Sequence, residues 1–297
     1  MEITKTAIIS VVGRPNVGKS TLTNKLVGRK VAIVSNKPQT TRTRITGLLN
    51  KDGCQYVFLD TPGLHKPRSR LGDYMVKVVE DTVSEVDAAA LVVEPVANIG
   101  APEESLIRQI EAAGIPAVLV INKVDTVKNE ALLAVIAAYA ARHDFAAVVP
   151  VSARTGKGLD ALLSEFEKFA LEGPQLFPED MVSDQPEKQV AAEVIREKML
   201  LLLDREVPHG VAVGIEPMET REDGLTEIHA TIYCEKASHK GIIIGKGGAM
   251  LKKIGELARR DLERDLGGKV YLNLWIKVKE DWRNNQYQMR NFGYQDE

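Results

Sequence analysis

"GRPNVGKS", residues 13 to 20, decides how the first half of the chain is read. It fits G-x-x-x-x-G-K-S, with Gly13, Gly18, Lys19 and Ser20 at the fixed positions. The apolar run AIISVV precedes it and the helix-patterned STLTNKLVG follows, which is the strand–loop–helix setting that a phosphate-binding loop requires. Through Gly13, Arg14, Pro15, Asn16, Val17 and Gly18 the backbone can turn its N–H groups toward phosphate oxygens, and the following helix adds its positive end. Lys19 reaches the outer phosphates, the Ser20 hydroxyl suits Mg²⁺, and Thr21 completes the nucleotide-binding set.

Three more segments fall in order behind it, each at the end of a strand-like run. In Asp60-Thr61-Pro62-Gly63, Asp60 can hold Mg²⁺ through water and the Gly63 N–H can sense a γ-phosphate. In Asn122-Lys123-Val124-Asp125, the Asp125 carboxylate can accept two hydrogen bonds from the N1–H and N2–H₂ edge of guanine. Adenine lacks that donor pair, and a site built to pair a polar group discriminates by on the order of 10⁴. Ser152-Ala153-Arg154 can back the base. Each segment alone is weak evidence; together and in this order they specify guanine nucleotide binding.

Pro38-Gln39-Thr40-Thr41-Arg42 lies between the first helix and a hairpin, where a nucleotide-sensing switch belongs. Thr41 is the favoured Mg²⁺ ligand in the triphosphate state and Thr40 the alternative. The residue after Gly63, often a water-orienting glutamine, is Leu64, which has no group for that task. The expectation is slow intrinsic hydrolysis, with Lys19, Thr41 and Gly63 around the reacting phosphate. Asn16 offers a further route, its amide oxygen helping to hold a K⁺ ion against the phosphates; an ordinary turn residue is the plain alternative.

The remaining chain bounds these readings. A length of 297 residues suggests about two domains. Apolar content of 44% and charged content of 27% are ordinary for a globular protein. No run approaches the roughly 18 apolar residues of a membrane span, and the first residues read as a strand rather than a signal peptide. Cys54 and Cys234 have no metal or disulfide spacing and read as reduced, buried thiols of a cytosolic protein. Residues 1–170 alternate buried-strand runs with helices such as APEESLIRQIEAAG and LDALLSEFEKFAL, the pattern of a mostly parallel sheet covered on both faces. The turn Asp52-Gly53 adds one antiparallel edge strand as a hairpin. Residues 171–187 hold three prolines, five acids and no base, and read as a linker whose internal LFP docks on something. Residues 188–297 give the order α-β-β-α-α-β, a three-stranded sheet with helices on one face.

A net charge of −2 excludes a wholly basic nucleic-acid binder. Residues 236–264 nevertheless carry eight bases against three acids, a net of +5. Inside this region lies a second glycine loop, GIIIGKGGAML, residues 241–251. Gly245-Lys246-Gly247-Gly248 is followed by Ala249, so it lacks the hydroxyl for Mg²⁺ and sits between helices rather than after a strand. That argues against a second nucleotide site. A G-x-x-G loop between helices instead sets backbone N–H groups against about four unpaired nucleotides. Lys246 projects toward phosphate, and Lys252, Lys253 and Arg259 extend the basic surface. Ile242, Ile243, Ile244 and Leu251 are expected to pack the core and the groove floor. Trp275, on a strand with Leu272 and Leu274, is expected to pack in the core or at the edge, and neither it nor Trp282 is chosen as a stacking platform.

These stretches together resemble the Era family of bacterial GTPases over nearly the whole length. The resemblance is carried by GRPNVGKSTLTNKLVG, PQTTR, DTPGLHKP, INKVD, VSARTGKGLD, FPEDMVSDQP, and EVPHGVAV through IIIGKGGAMLKKIG. It implies a Ras-like P-loop GTPase domain over 1–170, α/β with a mostly parallel six-stranded sheet and one antiparallel edge strand. It also implies an α+β type II KH domain over 188–297 with a C-terminal helix. The implied partners are GTP and GDP, small-subunit ribosomal RNA near its 3′ end, and the small ribosomal subunit during assembly. The implied cofactor is Mg²⁺, with K⁺ as the addition suggested by Asn16. The expectation is a cytoplasmic monomer with peripheral contact at the inner face of the cell membrane. A second reading is a nucleotide-regulated membrane or cell-cycle adaptor whose C-terminal unit is a protein-binding scaffold. The basic G-x-x-G region favours the first.

Overall fold

The computed structural model describes residues 3–294. The chain divides into two compact units, one formed by residues up to 67 and from 75 to 184, the other by residues 68–74 and those from 185 onward.

The first unit is built on strands β1 (Lys5–Val12), β2 (Ile45–Lys51), β3 (Cys54–Asp60), β4 (Ala88–Val93), β5 (Ala117–Ile121) and β6 (Ala147–Pro150). Their order across the sheet is β2-β3-β1-β4-β5-β6, with only β2 antiparallel to its neighbour. Helices α1 (Lys19–Val27), α2 (Arg70–Ser84), α3 (Ala101–Ala113), α4 (Asn129–Ala140) and α5 (Leu159–Glu167) connect them, the unit boundary at Met75 falling within α2. The period of two along β4 shows why the strands read as continuously apolar. Ala88, Ala90 and Val92 pack with Leu22 and Leu26 of α1 and Phe166 of α5. Ala89, Leu91 and Val93 pack on the opposite face with Val79, Leu106, Ile110 and Tyr139 of α2, α3 and α4. A sheet buried on both faces needs apolar side chains at every position. At the expected hairpin, Asp52 (φ 53) and Gly53 (φ 79) are both left-handed, which matches the twist of the strands they join.

The sheet carries a seventh strand that the sequence pattern does not announce. β7 (Leu171–Glu172) pairs antiparallel with Lys5 and Thr6, while β4 pairs with Ile9 to Val12. Of residues 171–187, read from composition as a linker, the part up to Asp184 packs with the first unit. Phe177 and Met181 lie on a cluster with Leu48, Val57 and Leu59. Fully buried Gln55 accepts the N–H groups of Leu176 and Phe177 through Oε1 and donates Nε2–H to the Phe177 carbonyl. The LFP docking expected from sequence is therefore present, and the unit ends near Asp184, whose carboxylate accepts from the Thr46 hydroxyl at 2.9 Å.

The second unit contains α6 (Glu187–Leu202), β8 (Val211–Thr220), β9 (Thr226–Cys234), α7 (Ala237–Ile244), α8 (Ala249–Leu266), β10 (Val270–Val278) and α9 (Gln286–Asn291). The sheet order is β10-β9-β8, with β8/β9 antiparallel and β9/β10 parallel. Ile195, Met199, Ile254, Ala258 and Leu262 from α6 and α8 close the core over Ile228, Ala230 and Ile232. Two expectations need correction. Trp275 is 58% exposed, because Val270, Leu272, Leu274 and Ile276 take the inward positions of β10 and the alternation turns Trp275 outward. Ile242 is also exposed, since a one-sided helix can bury only Ile243 fully. Trp282 is fully buried and donates Nε1–H to the Gly210 carbonyl at 3.0 Å.

Candidate functional site

The loops after β1, β3, β5 and β6 all open at the carboxyl ends of the parallel strands, where α/β sheets bind ligands. Glycine is required there for space. Gly18 has φ 100, and a Cβ on it would stand 2.4 Å from Nδ2 of Asn122. A Cβ on Gly63 would stand 2.6 Å from the backbone of Pro15. The D-x-x-G turn and the first glycine loop are thus in direct backbone contact.

Lys19 is buried under this loop and donates to the carbonyls of Gly13 and Arg14, each at 3.0 Å. Burial pulls its ammonium down to about 8, partly opposed by the nearby Asp60 charge. Burial likewise pushes the Asp60 carboxyl up to about 6, against the pull of Lys19 and the Ser20 hydroxyl. Ser20 donates to Asp60 Oδ2 at 2.6 Å and its Oγ lies 2.9 Å from Oγ1 of Thr41. Asp60 Oδ1 is buried without a hydrogen-bond partner. Two hydroxyls and a carboxylate with a spare oxygen form a hard oxygen set that fits Mg²⁺. Thr40 is directed elsewhere, donating to the Lys37 carbonyl and meeting Ser35 Oγ at 2.7 Å.

Asn122 joins two loops. Its Nδ2 donates to the Val17 carbonyl and its Oδ1 accepts the Ala153 N–H, both at 2.9 Å. Lys123 donates to the Asn16 carbonyl at 2.7 Å. Asp125 accepts from the Ser152 hydroxyl at 2.5 Å and from Arg154. The Ser152 hydrogen bond, helped by Arg154, holds its carboxyl below the usual value. Thr61 donates its hydroxyl to the Val11 carbonyl, which anchors the start of the turn that carries Pro62 and Gly63. Val17 is core, and Arg14 pairs with Glu103 of α3 at 3.4 Å rather than lining the cavity.

A cavity of about 440 Å³ is lined by Pro15, Asn16, Gly18, Lys19, Ser20, Thr21, Gln39, Thr40, Thr41, Gly63 and Lys123. Its far wall is Ile33 to Asn36, which the sequence reading did not single out. The Asn16 amide donates to the Asn36 carbonyl at 3.0 Å, a bond across 20 positions of sequence that ties this segment to the glycine loop. Arg42 is buried, and Leu64 is 7% exposed in the core beside Val79 and Leu91.

In the second unit, Gly245 (φ 71), Gly247 (φ 58) and Gly248 (φ 82) give the turn between α7 and α8 three left-handed residues around exposed Lys246. A Cβ at Gly247 or Gly248 meets nothing within 4 Å, so the backbone there is open to a close ligand. From Gly248 a groove of about 520 Å³ runs between α8 and β10, past Leu251, Lys252, Gly255 and Arg259 on one side and Tyr271, Leu272 and Leu274 on the other. Lys253 is exposed on α8 but does not line it.

Residues 8–123 match the family model of 50S ribosome-binding GTPases, and residues 206–283 match the KH domain model. Over 290 residues the chain is 52% identical to GTPase Era of Ruminiclostridium cellulolyticum, covering 98% of this chain and 97% of that protein. The chain belongs to the Era family of GTPases. Era of Alkaliphilus metalliredigens is 47% identical over 292 residues, covering 98% of this chain and 99% of that protein. Among solved structures, Era in complex with MgGDPNP and nucleotides 1506–1542 of 16S ribosomal RNA is 38% identical at a TM-score of 0.94, covering 98% of this chain and 99% of that one. An Aquifex aeolicus Era variant bound to GDP·AlF₄⁻ matches with the same identity, coverage and TM-score. The Era relationship accounts for both units, a Ras-like GTPase fold followed by a KH fold, in an enzyme that hydrolyses GTP.

Proposed function

We propose that this GTPase is a switch whose nucleotide state governs binding of small-subunit ribosomal RNA near its 3′ end, and that it assists assembly of the small ribosomal subunit. The observation that carries the reading is the pair of glycine loops. Gly13 to Ser20 ends in a hydroxyl bonded to a buried carboxylate, and Gly245 to Gly248 opens into a basic groove without such a hydroxyl. The RNA complex of the 38% identical Era supports the same assignment.

In this reading Gly13 to Thr21 and the Gly63 N–H surround the phosphates, with Lys19 on the outer ones. Ser20, Thr41 and Asp60 hold Mg²⁺, which neutralises charge between the phosphates when bound. The spare oxygen of Asp60 and the 2.9 Å approach of Thr41 to Ser20 favour Thr41 over Thr40. Asp125, oriented by Ser152, pairs with guanine, and Ala153 and Arg154 flank the base. Asn16 holds K⁺ through Oδ1, its Nδ2 being engaged with Asn36. The RNA backbone crosses Gly245 to Gly248 beside Lys246, and bases enter the groove by Lys252 and Arg259, with Lys253 adding long-range attraction.

The protein acts as a cytoplasmic monomer with peripheral contact at the membrane; light scattering and sedimentation with anionic vesicles check these two points. Among the described residues no helix is long and apolar enough to cross a membrane. The RNA assignment is tested by titrating a 16S 3′-end fragment at rising salt. Binding is expected to weaken steeply with salt and to disappear in Lys246→Glu/Gly247→Asp while GTP hydrolysis persists. Unchanged binding by that variant contradicts the assignment.

A further inference from the structure

The residue after Gly63 has no polar side chain to offer. Leu64 donates its N–H to the Gly13 carbonyl at 3.1 Å, and its side chain is turned into the core. An amide reaches the same cavity from the other switch segment. Gln39 lines it together with Lys19, Ser20, Thr41 and Gly63, and does so from a left-handed backbone, φ 59. A non-glycine residue held there costs on the order of 1 kcal/mol, which its surroundings must offset.

His65 fixes the direction of that amide. Its Nδ1 lies 2.9 Å from the Gly63 carbonyl oxygen, and its Nε2 lies 2.9 Å from Nε2 of Gln39. A carbonyl only accepts, so the ring hydrogen is on Nδ1. In a neutral imidazole Nε2 is then bare and accepts N–H from Gln39. The amide NH₂ is engaged, and Gln39 Oε1 is the end left to accept a hydrogen bond. The chain Gly63 carbonyl to His65 to Gln39 ties the γ-phosphate-sensing turn to the segment that carries Thr41.

We propose that Gln39 supplies the water-orienting amide that Leu64 does not, and that His65 is the positioning residue that aims it. The water oxygen forms a bond to the γ-phosphorus as the bond from that phosphorus to the β–γ bridging oxygen breaks. The electron pair leaves on the β-phosphate of GDP, and the water proton passes to a γ-phosphate oxygen. Gln39 Oε1 accepts a hydrogen bond from the water and takes no proton, so its contribution is orientation.

The test is steady-state GTP hydrolysis of the full chain with Mg²⁺, alongside GDP affinity. Gln39→Leu is expected to lower kcat about 10–100-fold with KM and GDP affinity within about twofold, the mark of lost orientation rather than lost binding. His65→Ala is expected to fall in the same direction. His65→Gln, which returns an acceptor to Gln39, is expected to recover most of the rate. The double variant Gln39→Leu/His65→Ala is expected to be no slower than Gln39→Leu alone, because the two act as one unit. Wild-type kcat in Gln39→Leu, additive losses in the double variant, or a loss confined to GDP affinity overturns the proposal.

Discussion

Ser20 Oγ donates to Asp60 Oδ2 at 2.6 Å, while the other oxygen of the same carboxylate is buried with no partner. One carboxylate is thus half-satisfied by the first glycine loop and half-reserved. A buried ionised group with a spare lone-pair set is costly in the metal-free protein, and that cost is the basis for the first expectation.

Asp60→Asn should stabilise the metal-free protein and abolish Mg²⁺-dependent GTP binding. The Asp60 carboxyl is raised from 3.8 to about 6 by burial. The folded state therefore holds a proton that the unfolded state releases between these values. The stability contributed by protonation is fully present below about 3.8 and lost as pH rises through about 6. At pH 7 asparagine removes an ionised carboxylate at an expected gain of about 1–3 kcal/mol. The gain should shrink as pH falls below 6, which thermal melts at pH 5 and pH 7.5 without Mg²⁺ measure.

Asn122→Ala should be costly for both stability and guanine nucleotide affinity. It removes the bonds to the Val17 carbonyl and the Ala153 N–H. Buried polar groups left unpaired cost about 1–3 kcal/mol each. Denaturant unfolding and GDP titration should both register the loss, with affinity at least about 10-fold weaker.

Asp125→Asn should change the base preference rather than remove binding. A carboxylate accepts from the N1–H and N2–H₂ of guanine, whereas an amide can donate to the 2-oxo group of xanthine. Ser152, at 2.5 Å, can still orient the substituted side chain. Competition between GTP and XTP is expected to reverse in favour of XTP.

Asn16→Ala should erase the difference between salts. Asn16 lines the cavity with Nδ2 bonded to the Asn36 carbonyl. GTP hydrolysis in K⁺ is expected to exceed that in Na⁺ for the unmodified chain and to be equal in the two salts for the variant. Equal rates in the unmodified chain would remove the K⁺ role.

Gly245→Ala and Gly247→Ala should differ. A Cβ at Gly245 lies 2.7 Å from Cβ of Met250, on top of a left-handed φ of 71. At Gly247 no atom lies within 4 Å. The first substitution should destabilise the second unit by more than about 1 kcal/mol. The second meets no atom but still sets a side chain at φ 58. It should cost about 1–2 kcal/mol from backbone strain alone, a smaller loss than at Gly245, and also weaken RNA binding.

What the chain spells out most clearly are positions where chemistry allows few residue types. Gly18, Lys19, Ser20, Asp60 and Asp125 are readable because the phosphate, metal and guanine contacts proposed for them admit few residue types. The doubly buried strands are readable because both faces of the sheet must be apolar. Contacts between distant segments are less readable. Gln55 fixes Phe177 across 122 positions of sequence, a contact that the prolines and acids of residues 171–187, read as a linker, do not reveal. Trp275 misleads because a sheet covered by helices on one side leaves its other face open, and hydrophobicity alone does not say which parity faces in. Ile33 to Asn36 wall the cavity and leave no motif. His65 is silent in the same way, since its meaning lies in being 2.9 Å from Gln39.

The most direct measurement is the affinity of a 16S 3′-end RNA fragment for the protein loaded with a non-hydrolysable GTP analogue and with GDP, at fixed salt. The account predicts tighter binding in the GTP-like state by at least about 10-fold, equivalent to about 1.4 kcal/mol of coupling. It also predicts loss of binding in both states for Lys246→Glu/Gly247→Asp. Equal affinity in the two nucleotide states, or full RNA binding by the substituted loop, contradicts it.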